Sequence, residues 1–171
     1  LRAMQKNGDG DLSRFLRNAE VLAARGAHAD AARLIDRTKT AFAGSMDKEQ
    51  HKRLLKLEAR LAAARGLAGE EQARLLEKIV ALDPLDGEAL ILLGRHHAET
   101  GNIEKACFLF ERAAAMEEHE AEACLRHAQC LVRNESYERA LPLLKRAQEI
   151  RPREDVARYI EQVERVARVS S

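Results

Sequence analysis

Tryptophan is absent from the 171-residue chain, aromatic residues make up only 4% of it, and proline occurs three times. Hydrophobic residues nevertheless reach 46%, and Ala, Leu, Arg and Glu recur throughout. Those four types are helix formers, so the composition predicts an all-α protein. A chain of this length hides roughly two-thirds of the surface its unfolded form exposes, enough for a core without metal or disulfide staples.

Charge of one sign is lacking too. Lys and Arg number 29 against 28 Asp and Glu, a formal net charge of +1. No whole-molecule field then favours DNA, RNA or an anionic membrane, and any electrostatic recognition must be local. The cysteines, Cys107, Cys124 and Cys130, are odd in number and contain no C-x-x-C pair. That argues against a secreted disulfide framework and fits a reducing compartment. A cytoplasmic location is expected, with a periplasmic one, as part of a longer chain, as the alternative. The longest apolar run, Ala89 to Leu93, is far short of a membrane span, and no signal-peptide layout opens the sequence. The sequence starts at Leu1 and not Met, and is read as a piece of a longer chain or a processed product. G-x-S-x-G, phosphate-cradling glycine loops and H-E-x-x-H are missing. No enzyme activity and no cofactor are predicted.

What the chain does have is a repeat. An offset of thirty-four residues sets Gly94 on Ala128, Ala98 on Val132, Ala106 on Ala140, Phe110 on Leu144 and Ala113 on Ala147. Small residues meet small ones and large apolar residues meet large ones, in a fixed order. Pro84 and Pro152 stand two periods apart, each ending a helical stretch. Between them Asp86 to Thr100 has helical spacing, Gly101-Asn102 breaks it, and Ile103 to Met116 is helical again.

The stretches GEALILLGRHHAETGNIEKACFLFERAAAMEEHE and AEACLRHAQCLVRNESYERALPLLKRAQEIRPRE resemble full units of the tetratricopeptide repeat family. The resemblance implies a right-handed α-solenoid of about four helix-turn-helix repeats plus a C-terminal capping helix. It also implies that Gly94 and Ala128 let the paired helix approach at Ala106 and Ala140. Leu90, Leu93, Phe110, Leu131, Tyr137 and Leu144 are then expected to fill the space between neighbouring units. One repeat domain is expected over 12–169, with units at about 12–43, 47–84, 85–118 and 119–152 and a solubilising cap at 155–169. Residues 1–11 are expected to be a polar, poorly ordered segment. Pro142, inside a helix starting near Ser136, predicts a local bend. Glu118 stands where other units have proline, so the helix ending at Met116 is expected to run on. Gly26 and Gly66 are forty residues apart against thirty-five from Gly66 to Gly101, an insertion that residues 43–46 or their neighbours must absorb.

Three clusters invite chemistry. Asn7 to Asp11 is similar to a calcium loop, but Gln5 and Leu16 hold the ends of its twelve-residue frame, so a polar tail is expected. Cys124, His127 and Cys130 share a helix face, a poor tetrahedral set. They are read as a packed thiol pair and a hydrogen-bonded core histidine, with no metal site. His96-His97 lacks a nucleophile, and one ring is expected buried and the other exposed.

The family's groove positions carried over to this sequence give Ser13, Leu16 and Glu20, then Arg53, Lys56 and Arg60. The third unit gives Glu88, Ile91, Arg95 and Glu99, and the fourth Glu122, Leu125, Gln129 and Arg133. Lys56, Arg60, Arg95 and Arg133, beside Ile91 and Leu125, would make a basic track for an acidic or carboxylate-ended segment, interrupted by Glu88, Glu99 and Glu122. The expected function is a protein–protein interaction scaffold holding a peptide or helical segment in this groove. A docking or regulatory domain of a larger enzyme and an oligomerisation module are the alternatives. Partners are another protein, or a second copy of the chain, but no nucleic acid and no direct membrane insertion.

Overall fold

A computed structural model describes the backbone of residues 2–66 and 69–170 and the side chains of residues 12–66 and 69–169. Among these residues there are nine helices and no strand: α1 (Arg2–Ala24), α2 (His28–Ala41), α3 (Lys48–Ala64), α4 (Glu70–Leu82), α5 (Gly87–Glu99), α6 (Ile103–Ala114), α7 (Glu117–Arg133), α8 (Tyr137–Ile150) and α9 (Glu154–Ser170). None of them is long and apolar enough to cross a membrane. The chain divides into two compact units, Leu1–Pro84 and Leu85–Ser171, where the sequence pattern suggests one repeat domain.

In the first unit, α1 packs on α2 and α3 on α4, with α3 also touching α1 and α2. Leu12, Leu16 and Ala19 of α1 bury against Ala31 and Ile35 of α2 and against Leu54, Leu57 and Leu61 of α3. The helix α1 begins at Arg2, inside the stretch expected to be irregular; Asn7 to Asp11 lie on its backbone, and their side chains fall outside the described residues. The insertion is taken up by residues 43–46 and by α3, which at 17 residues is about a turn longer than the 13-residue α5. A capping box starts α3: the Gln50 N–H donates to the Asp47 side chain at 2.8 Å, and the Gln50 side chain accepts from the Asp47 N–H at 3.0 Å.

The second unit packs α5 on α6, α6 on α7, α7 on α8 and α8 on α9, with α5 also against α7. Four of the five pairs matched by the thirty-four-residue offset are buried in its core, and Ala98 and Val132 are half-buried. Leu90, Leu93, Ala106, Phe110, Leu131, Ala140 and Leu144 are each at most 4% exposed, while Tyr137 is half-buried. Gly94 is required by an aromatic ring: a Cβ built there would lie 2.7 Å from Phe110 Cε1. The close partner is therefore Phe110, one turn beyond the Ala106 that the repeat pattern suggests.

The turns repeat as faithfully as the core. The Asn102 N–H donates to the His97 carbonyl at 2.7 Å, and thirty-four residues later the Ser136 N–H donates to the Leu131 carbonyl at 2.9 Å. This wide bond closes a helix C-terminus through a residue in the left-handed region. Gly101 fills that position at φ 82°, but its counterpart is Glu135 at φ 57°. A side chain there costs roughly 1 kcal/mol that glycine does not. Glu135→Gly is expected to raise stability by about 0.5–1 kcal/mol, read as a higher urea midpoint at unchanged slope.

Two boundaries correct the sequence reading. The helix expected to run past Met116 stops at Ala114, and α7 begins already at Glu117. Glu117, Glu118 and Glu120 crowd its first turn, where negative charge favours a helix start over a helix end. Pro142 lies inside α8, which continues through it to Ile150.

Candidate partner-binding face

In the first unit Lys56 is half-buried and Arg60 exposed, both on α3. Arg53, a carried-over groove position, is held by Glu20 of α1 through two bonds of 2.9 and 3.0 Å. That carboxylate keeps the guanidinium protonated above its usual range, so this pair links α1 to α3. Ser13 is half-buried on α1, and Leu16, expected in the groove, is core at 2% exposure.

In the second unit the groove positions fall on α5 and α7. Arg95, Glu99, Gln129 and Arg133 line one pocket of about 90 Å³ together with Ala98, Phe110, Arg126 and Cys130. Four predicted residues thus converge on one cavity. Ile91 and Leu125 instead are buried, each 7% exposed, because their positions on α5 and α7 also face neighbouring helices. Leu125 still reaches a second cavity of about 270 Å³, shared with Arg126, Gln129, Arg153, Asp155, Val156 and Tyr159. Glu88 is exposed on the first turn of α5.

The cations of this face differ in how they are neutralised. Arg126 Nε bonds the Glu122 carboxylate at 2.7 Å and its Nη1 bonds Gln129 Oε1 at 3.1 Å. Arg153 holds Asp155 through bonds of 2.6 and 3.1 Å, and the pairing keeps the Asp155 carboxyl below its usual range. Arg95 reaches Glu99 only at 3.9 Å, and Arg133 is exposed and joins no ion pair among the described residues. Among the described residues Arg95 and Arg133 are therefore the least neutralised of the three guanidinium groups that line this pocket.

Sequence reasoning missed Arg126, Arg153 and Tyr159. Arg126 was visible in principle: Glu122, Arg126, Gln129 and Arg133 follow at helical spacing on one face. Tyr159 belongs to the helix that the sequence assigns only as a solubilising cap. Its hydroxyl is pushed up by burial, opposed by the nearby Arg133.

The cysteine and histidine cluster also differs from expectation. Cys130 comes close enough to Cys107 of α6 for each thiol to influence the other, and Cys124 is buried in the cluster that α7, α8 and α9 share. Burial pushes the Cys130 thiol up to about 11. His127, 6% exposed, packs 6.1 Å from the Phe110 ring, and its Nε2 has no hydrogen-bond partner, so it is not the hydrogen-bonded residue expected. Both rings of His96 and His97 are half-buried, 5.6 Å apart, where one buried and one exposed were expected. Among the described residues no three His, Cys, Asp or Glu side chains are grouped to hold a metal ion.

Burial lowers the His127 pKa from 6.5, with Arg139 reinforcing the shift and Glu111 opposing it. The unfolded chain then binds a proton that the folded chain refuses, so stability is lost as pH falls below 6.5 and is level above it. The slope is at most about 1.4 kcal/mol per pH unit. His127→Leu, matching the Leu93 of the preceding unit, is expected to flatten urea stability between pH 6.5 and 5. An unchanged slope would assign the acid sensitivity to other groups.

With this geometry the chain can be compared with known proteins. A family model described as anaphase-promoting complex, cyclosome, subunit 3 matches residues 99–161. No curated protein matches the sequence. The crystal structure of YrrB, a TPR protein with an unusual peptide-binding site, superposes with a TM-score of 0.69 at 18% identity, covering 88% of this chain and 74% of that one. The chain has the tetratricopeptide-repeat fold. MamA AMB-1 superposes with a TM-score of 0.67 at 18% identity, over 91% of this chain and 89% of that one. The MamA RS-1 ArsTM double mutant gives 0.68 at 16% identity, over 94% and 97%. The tetratricopeptide fold accounts for the all-helical repeat, for the left-handed residue in its turns and for the pairing of small residues with large ones.

Proposed function

We propose that this tetratricopeptide-fold chain is a protein–protein interaction scaffold, without turnover, that holds a carboxylate-bearing segment of a partner against α5 and α7 of the second unit. The observation that carries the reading is the pocket of about 90 Å³ with Arg95 and Arg133 at its edge, one weakly paired and one unpaired among the described residues. The likeness in fold to YrrB, a protein with a peptide-binding site, supports it. Guanidinium forks match carboxylates in two parallel hydrogen bonds, so the pocket selects a planar anion over a bulky apolar group. Net charge near zero means that the attraction is short-ranged and fades with salt.

The test is capture of partners from the source cell by the wild type and by the Arg95→Glu/Arg133→Glu variant, once circular dichroism shows equal helicity. A partner lost only from the variant supports the reading. Partners retained by both move the binding surface elsewhere.

A further inference from the structure

The acids that interrupt the basic track differ in what surrounds them. Glu122 is engaged by Arg126 at 2.7 Å, and Glu88 is exposed on the first turn of α5. Glu99 lines the pocket of about 90 Å³ beside Arg95, Arg126 and Arg133, and is the one carboxylate among the described residues that line it. Its side chain is 58% exposed and lies 3.9 Å from Arg95, a contact too long for a charge-assisted hydrogen bond. Arg126 is occupied elsewhere, shared between Glu122 and Gln129 through bonds of 2.7 and 3.1 Å. The charges that this pocket offers a ligand are therefore Arg95, Arg133 and Glu99, and they are of both signs.

Arg95 and Glu99 are four residues apart on α5, and side chains so spaced leave a helix about 5–6 Å from each other on one face. A carboxylate drawn in by Arg95 and Arg133 comes to lie near a resident carboxylate, and it takes up the guanidinium that Glu99 faces. Like charges at this range repel, and at a protein surface the repulsion is several times that in bulk water. A segment that brings an acid alone leaves Glu99 unanswered. A segment that also brings a base gives the Glu99 oxygens an N–H donor and turns the repulsion into a second attraction. The same carboxylate then rejects purely acidic segments, so it discriminates by repulsion as well as by attraction.

We propose that Glu99 is the second recognition point of this pocket, so that the partner segment carries a Lys or Arg close to its acidic residue and on the same side. The acid seats at Arg95 and Arg133, and the base at Glu99. This rests on the acidic-segment reading above and adds the second charge, its sign and the residue that reads it.

The experiment is selection from a random dodecapeptide library on the wild-type protein, on Glu99→Gln and on Glu99→Lys, each verified by circular dichroism and thermal melting. Wild type is expected to enrich peptides that hold an acid and a base close together. Glu99→Gln should keep the acid preference and lose the base preference, and Glu99→Lys should put a second acid in place of the base. By fluorescence anisotropy, changing the base of the selected peptide to Gln should weaken binding to wild type at least about tenfold and leave binding to Glu99→Gln almost unchanged. The wild-type arm holds even where a variant fails to fold. Were Glu99 only a support for Arg95, Glu99→Gln would weaken the acid preference instead, and that result overturns the proposal. Enrichment of acids with no base beside them on wild type also overturns it and leaves the acidic-segment reading standing. Selection with no acid preference, or with no enrichment, overturns both.

Discussion

Phe110→Ala is expected to cost about 3–5 kcal/mol, a large part of the roughly 5–15 kcal/mol that holds a domain folded. Phe110 is 1% exposed, fills the space over Gly94 and stacks near His127, so its removal opens a cavity that helix backbones cannot close. The same contact makes Gly94 sensitive in the opposite direction. A methyl added there would sit 2.7 Å from Cε1, 3.0 Å from Cδ1 and 3.1 Å from Cζ of a ring that is 1% exposed. Gly94→Ala should therefore cost about 1–3 kcal/mol through overpacking, more than the roughly 1 kcal/mol that alanine gains in a helix. In a Phe110→Leu background the clashing ring atoms are gone and Gly94→Ala should become neutral or stabilising. Urea unfolding of the four proteins in the cycle measures the coupling, expected at about 1–3 kcal/mol. Additive effects would mean that the ring and the glycine do not share the space assigned to them.

The second large effect is on binding. Reversing Arg95 and Arg133 replaces two attractive charges by two repulsive ones at a pocket of about 90 Å³. A carboxylate-bearing peptide that binds the wild type should bind the double variant at least a hundredfold more weakly, about 2.7 kcal/mol. Helicity should be unchanged, because both side chains are exposed and their one ion pair among the described residues is the 3.9 Å contact of Arg95 with Glu99. Exposed pairs of that length contribute little to stability.

The fold is legible in the sequence wherever the thirty-four-residue offset pairs residues by size. Gly94 with Ala128, Ala106 with Ala140 and Phe110 with Leu144 are all core. The turn at Glu135 could have been found from Gly101 by the same offset, although a glutamate gives no local sign of left-handed backbone. Helix ends are less legible, because proline marks a stop whereas Glu117, Glu118 and Glu120 mark a start, and Glu118 stands where other units have proline. The face was half legible. Arg95, Glu99, Gln129 and Arg133 meet at one cavity, whereas Ile91 and Leu125 turn toward helix neighbours. A pattern of positions specifies which helix side a residue is on, and only packing decides whether that side is open. The approach of Cys130 to Cys107 was hidden for the same reason, since it crosses from α6 to α7. The walls that α9 contributes arise from where Tyr159 and Val156 come to rest beside α7.

The central claim is that Arg95 and Arg133 read a carboxylate, and a charge swap measures it most directly. Calorimetric titration would pair the wild type and the Arg95→Glu/Arg133→Glu variant with a selected acidic peptide and with the same peptide carrying Lys in place of its acid. The acidic peptide is expected to bind the wild type, either single exchange to abolish binding, and exchange of both to restore it. Equal binding of the acidic peptide to both proteins would contradict it.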